Sequence, residues 1–153
     1  MATNDMLQYL EPAASGGLAS ASHRRKVETF IAAGTITAGD VVMWSIDGTA
    51  DSMLNVVISA LKALGQPLAC GVALNSAVSG EDVRVVISGF ATANCTNDTG
   101  TIVAGDALVA SVVTAGEVEV QVAANIARTF GVALEAADAT TAQFVNICVY
   151  PQF

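Results

Sequence analysis

A single histidine, His23, and three widely spaced cysteines, Cys70, Cys95 and Cys148, are the whole stock of soft metal ligands in this 153-residue chain. No Cys-x-x-Cys pair occurs, so a zinc centre has almost nothing to draw on. The thiols read as buried and free, with a disulfide left open as the alternative. Aromatic residues make up 5% of the chain, too few for the stacking platforms of single-strand nucleic-acid binders. Positive charge is equally scarce. Six Lys and Arg against fourteen Asp and Glu leave a formal charge of −8, which repels phosphate and argues against nucleic acid as a partner. No run of eighteen apolar residues and no basic-then-apolar leader appears, so neither a membrane span nor a secretory signal is predicted. Asn94-Cys95-Thr96 and Asn97-Asp98-Thr99 fit the glycosylation pattern, but without a signal they read as a polar loop.

What is abundant is apolar. With glycine counted, about 60% of the residues are apolar, against a usual 45–50%, and 13% are charged. A lone domain of this size has too little interior to hide that much, so the composition predicts obligate association. Alanine occurs 28 times, which favours close-packed layers over a roomy pocket.

The chain also repeats itself. Thr35-Ile36-Thr37-Ala38-Gly39-Asp40 returns as Thr101-Ile102-Val103-Ala104-Gly105-Asp106. Downstream of each copy stands Gly-Val-Ala-Leu, at 71–74 and again at 131–134. Two ordered matches at nearly constant offset indicate a duplicated unit of about sixty residues, with pseudo-repeats over about 35–89 and 101–150. In each copy a β-favouring triplet runs into Ala-Gly-Asp. Glycine takes positive φ without steric cost and aspartate bonds back to nearby amides, so Gly39, Asp40, Gly105 and Asp106 read as structural turns between strands. Asp40 and Asp106 as a metal or acid-base pair is the weaker alternative.

Residues 1–28 differ from the body at 29–153. They carry Pro12, Ser15-Gly16-Gly17 and alternating Ala and Ser, and they are neutral overall, so the excess negative charge sits on the body. This composition predicts an extended N-terminal arm. Its apolar cluster, Met6, Leu7, Tyr9 and Leu10, reads either as anchors for a partner or as a short helix packed on its own domain. Arg24, Arg25 and Lys26 hold half of the chain's Lys and Arg. Beyond the arm, short alternating stretches with glycine turns every 8–12 residues predict a mainly β domain, a small roll or barrel. Gly89 is expected to end one strand and 90–95 to form the next. Residues 51–64 are the one helix candidate, with Met53, Leu54, Val57, Leu61 and Leu64 at helical spacing and Gly65 with Pro67 at the end. Val56-Val57-Ile58 is a competing strand signal. Copy one is six residues longer here, so the helix would be the departure from symmetry.

Active-site constellations fail on inventory. Gly-x-Ser-x-Gly, His-Glu-x-x-His, a P-loop and Gly-x-Gly-x-x-Gly are all missing. Acid pairs exist at Glu81-Asp82, Glu117/Glu119 and Glu135/Asp138, but they read as solvated, with Glu117 and Glu119 on the outward face of a strand. No catalytic residue, metal or cofactor is predicted. Arg84 and Arg128, placed in corresponding regions of the two units, read as possible ion-pair partners for a neighbouring subunit.

The ordered phrases carry a resemblance. Ala38-Gly39-Asp40, Gly71-Val72-Ala73-Leu74, Gly80-Glu81-Asp82-Val83-Arg84-Val85, Gly89-Phe90-Ala91, Ala104-Gly105-Asp106-Ala107-Leu108, Gly131-Val132-Ala133-Leu134 and the closing Val145-x-Ile147-x-Val149 together resemble the capsid cement or decoration proteins of tailed bacteriophages over about residues 35–150. The resemblance implies a non-catalytic virion protein, a homotrimer on the capsid exterior that staples capsomers of the expanded head, with the major capsid protein as partner. In such proteins an N-terminal arm reaches onto the capsid, which would make Met6, Leu7, Tyr9, Leu10, Arg24, Arg25 and Lys26 the contact residues. The alternative is a fibre or attachment-type β domain that binds carbohydrate or a host surface. Aromatic platforms would favour it, and Tyr9, Trp44 and Tyr150 are few and scattered.

Overall fold

Valine and isoleucine lose rotamer freedom in a helix and pack well on a pleated surface, and they dominate this chain between its glycine turns. The computed structural model describes residues 25–44, 55–58, 69–95, 101–111, 113–122, 129–137 and 143–150. Nine strands form among them: β1 (Lys26–Ala32), β2 (Val41–Trp44), β3 (Asn55–Ile58), β4 (Ala69–Ala73), β5 (Asp82–Cys95), β6 (Ala107–Ala110), β7 (Val118–Val120), β8 (Gly131–Ala133) and β9 (Gln143–Val149). The mainly β, barrel-like reading holds, and no helix occurs among the described residues.

The strands are hydrogen-bonded in the order β1-β3-β2-β4-β5-β7-β6-β8-β9, with two further pairings, β1 with β5 and β5 with β9. Those two pairings close the sheet twice. The first five strands in chain order make one barrel, and β5 to β9 make a second with the same internal order. The 14-residue strand β5 belongs to both. Its first half pairs with β1, from Lys26↔Ser88 to Ile31↔Asp82, and its second half pairs with β9, from Gly89↔Val149 to Cys95↔Gln143. The change of partner falls at Gly89, whose φ of 95° lets the strand leave one barrel and enter the other. Gly89 is therefore a hinge within one strand and not the stop expected from the sequence.

The register shows the duplication residue by residue. Val42↔Gly71 in the first barrel repeats as Leu108↔Gly131 in the second, and Ala73↔Val85 repeats as Ala133↔Ile147. Isolated bridges Ile36↔Ala77 and Ile102↔Ala137 also match. The operation relating the units carries β1 onto the second half of β5, and β1 runs antiparallel to β5. It must reverse strand direction, as a pseudo-twofold does.

The helix expected over 51–64 is overturned where the chain is described. Residues 55–58 are β3, hydrogen-bonded parallel to β1 and antiparallel to β2. The β-branched run wins because closing the barrel requires a strand between β1 and β2, and each of these residues is a poor helix former. β3 is the counterpart of β7, which pairs with β5 and β6 in the same way, so this stretch keeps the symmetry. The rest of 51–64 lies outside the described residues, as do residues 1–24 of the arm. Residues 26–28 belong to β1, which shortens the stretch available as an arm.

Two apolar clusters fill the molecule. Val42, Cys70, Ala73, Val83, Val85 and Ile87 sit with Ala32 and Ile36 inside the first barrel, where Phe30 and Trp44 meet edge to face at 4.9 Å. Ile102, Leu108, Val118, Phe130, Val145, Ile147 and Val149 fill the second. Val41, Val72 and Val86 point the other way from their neighbours Val42, Ala73 and Val85, and belong to the second barrel's cluster. The β2-β4-β5 wall is thus buried on both faces, which accounts for its unbroken apolar runs. All three cysteines are free. Burial pushes the Cys70 thiol up from 9.0 to about 12.

Two outcomes follow. A Cβ on Gly71 would lie 2.2 Å from the Val86 carbonyl oxygen, whereas one on Gly34 would meet nothing within 4 Å. In urea melts Gly71→Ala should cost about 3 kcal/mol or more, while Gly34→Ala stays within about 1 kcal/mol of the parent. For Cys70 the folded pKa lies above the unfolded one, so its contribution is fully present below pH 9.0 and lost as pH rises towards about 12. That window should carry about 4 kcal/mol of alkaline destabilisation, and stability-versus-pH curves should show a shallower alkaline slope for Cys70→Ala.

Candidate functional site

The same turn is built twice and used in two ways. Gly39 and Gly105 have φ of 93° and 94°. Their N–H groups donate to the Ala73 and Ala133 carbonyls at 2.8 Å, and the Asp40 and Asp106 carboxylates each accept the N–H three residues back, from Thr37 at 2.7 Å and Val103 at 2.8 Å. Asp106 stops there, half-exposed on the outside of the second barrel, and a Cβ on Gly105 would meet nothing within 4 Å. The first copy sits at the junction of the barrels. Asn94 N–H donates to the Gly39 carbonyl at 2.8 Å, Asn94 Nδ2 donates to Asp40 Oδ1 at 2.7 Å, and Val41 N–H donates to the Gly116 carbonyl at 2.7 Å. Asp40 is buried accordingly. Three hydrogen bonds therefore tie a turn of unit one to β5 and the β6–β7 turn of unit two, and the Asp40–Asp106 acid pair does not form.

Beside this junction runs an open groove of about 750 Å³. Its floor and walls include Phe90 and Ala91 at the centre of β5, Leu74 and Gly39 from unit one, and Leu134, Phe144 and Asn146 from unit two. Phe144 is 63% exposed and Leu134 45%, high values for such side chains. Thr92 donates to Asn146 Oδ1 at 2.9 Å and Glu135 accepts the Asn146 N–H at 3.0 Å, which puts a polar ladder along one side. Arg25, where the described chain begins, lies at the rim. Sequence reading passed over this groove. The signal was the alternation of β9: with Val145, Ile147 and Val149 facing the core, Phe144 had to face outward.

The other expected residues fall as follows. Met6, Leu7, Tyr9, Leu10, Arg24 and Arg128 lie outside the described residues. Lys26 pairs with Glu28 at 2.7 Å on the exposed start of β1. Arg84 is exposed on β5, and its counterpart in the second unit is Asn146: Leu74 and Leu134 N–H donate to the Arg84 and Asn146 carbonyls, both at 2.8 Å. Glu81 is an exposed turn residue whose carboxylate accepts the Val78 N–H at 3.0 Å. The expectation that Glu119 faces solvent is wrong. It is fully buried on β7, opposite Val109, which is also fully buried. Alternation alone assigned it outward, whereas this strand is covered on both sides. No group of three or more potential metal ligands occurs among the described residues.

The fold has a counterpart among solved structures. It is similar to the head fiber gp8.5 N base of bacteriophage phi29, with a TM-score of 0.54 and 18% identity, over 83% of this chain and 95% of that one. No protein-family model matches the sequence. No curated protein matches it either.

Because Asp40 carries the junction and Asp106 only its own turn, truncation should separate them. Asp40→Ala should cost about 2–3 kcal/mol, since it strands a partly buried Asn94 amide and removes bonds to a charged acceptor. Asp106→Ala should cost about 1 kcal/mol. Denaturant melts of the two variants, side by side, check the ranking.

Proposed function

We propose that this chain is a structural protein of a bacteriophage virion, carried on the outside of the head, where it staples neighbouring capsomers without catalysis. The observation that carries this reading is the fold it shares with the phi29 head fiber base across nearly the whole of that domain. The resemblance of its turn and strand phrases to capsid decoration proteins supports it independently. Rigid, doubly closed barrels around a common strand suit a load-bearing part. Its partners in this reading are the major capsid protein and two further copies of itself in a homotrimer, with neither nucleic acid nor membrane involved. Several weak contacts held in one rigid trimer gain strength through effective concentration. The exposed side chains of Val27, Ile31, Val103 and Tyr150 offer apolar surface for such contacts.

The arm supplies the attachment. Burying two or three of Met6, Leu7, Tyr9 and Leu10 yields roughly 1.5–3 kcal/mol each. Ordering some ten residues of backbone costs on the order of 1–2 kcal/mol apiece. The anchors do not offset that cost alone, so the arm adds backbone hydrogen bonds as a strand on a capsid sheet edge. Arg24, Arg25 and Lys26 then meet acidic groups, which makes attachment salt-sensitive. A second reading is favoured by the same fold comparison: a fibre- or attachment-type β domain that itself binds carbohydrate or a host surface.

Deleting residues 2–24, which leaves β1 whole, tests the first reading. Light scattering should still find a trimer, and co-sedimentation with expanded heads should fall at least tenfold. A stable monomer at micromolar concentration, or undiminished binding, refutes it.

A further inference from the structure

The groove at the barrel junction is an apolar surface that the described chain leaves open, and the residues nearest its rim say what belongs in it. Arg25 lines the groove and is also the point from which the 24 preceding residues start. Those residues hold one compact apolar cluster, Met6, Leu7, Tyr9 and Leu10, flanked by the acids Asp5 and Glu11. We propose that the groove is the seat of this chain's own residues 6–10. This assignment stands apart from the virion role, because it concerns the free protein.

Reach, size and apolar character agree with it. Fifteen peptide units separate Leu10 from Arg25, a span of up to roughly 50 Å when extended, so the cluster reaches any point of a groove that begins at its own anchor. A volume of about 750 Å³ lies in the range of sites that enclose a small ligand or a few side chains, roughly 300–1,000 Å³. Phe144 and Leu134 present the apolar surface, and the one charge of each sign in the lining, Arg25 and Glu135, leaves it neutral overall. Tethering sets an effective concentration in the millimolar range, so a weak contact suffices to fill the groove. A cluster seated there is shielded from non-specific association and is released when a partner binds it more strongly.

The test uses the full chain labelled with 13C at methionine methyls. The Met6 methyl should show an upfield ring-current shift and NOEs to the Phe144 ring and the Leu134 methyls. Both should vanish in Phe144→Ala, a substitution tolerated at a side chain 63% exposed. If that variant loses its native amide spectrum, the paired substitution Leu7→Asn and Leu10→Asn, outside the barrels, should return the Phe144 ring signals to their solvent-exposed positions. A Met6 methyl at its random-coil position in the parent chain overturns the proposal. So do NOEs that an isotope-filtered experiment on mixed labelled and unlabelled protein assigns to contacts between copies, since the occupant would then be a second molecule's segment.

Discussion

Everything in this molecule hangs on the backbone ladder of β5. A 14-residue strand is long for a domain of this size, and it is hydrogen-bonded along its first half to β1 and along its second half to β9. Each pairing closes a barrel. If the chain ended its strand at Gly89, the second sheet would be left open, with unpaired N–H and C=O groups along an edge of β9. The positive φ of Gly89 falls where the strand changes partner from β1 to β9 and so passes from one barrel to the other.

The second dependence is close approach. Gly71 and Gly131, equivalent in the two units, sit where a Cβ would fall 2.2 Å and 2.8 Å from the carbonyl oxygens of Val86 and Cys148. Small barrels need strands this tight, and the abundance of alanine serves the same end. The space saved is filled by β-branched side chains. Between the barrels Val41, Val72 and Val86 bury the outer face of one wall, while their counterparts Ala107, Val132 and Cys148 in the second unit stay half-buried. Two of the three pairs have diverged in the direction their positions demand, Val41 to Ala107 and Val86 to Cys148, while Val72 and Val132 are the same residue.

The proposed role at the phage head asks for a stiff body with apolar contact surface, and the doubly closed sheet and exposed side chains such as Val27, Ile31 and Val103 suit it. The apolar surplus of the composition then has a physical place, in the groove and on the flanks of a body whose charge is otherwise strongly negative.

Much of this was legible in the residues. The repeated Thr-Ile-x-Ala-Gly-Asp and Gly-Val-Ala-Leu phrases announced the duplication, the β class and the paired turns, because φ signs and short-range hydrogen bonds are local properties that a few residues determine. The failures share one cause. Helical spacing over 51–64 was local evidence, and it lost at 55–58 to a barrel that needed a strand between β1 and β2. Glu119 followed the alternation rule, but burial depends on what covers a strand, and β7 is covered on both sides. Asp40 and Asp106 share the preceding Ala-Gly and the same turn geometry. Only the packing of one unit against the other makes the first a buried link to Asn94 and leaves the second a half-exposed turn residue. Sequence determined the units, and long-range pairing through β5 decided which copy of each residue bears the contact.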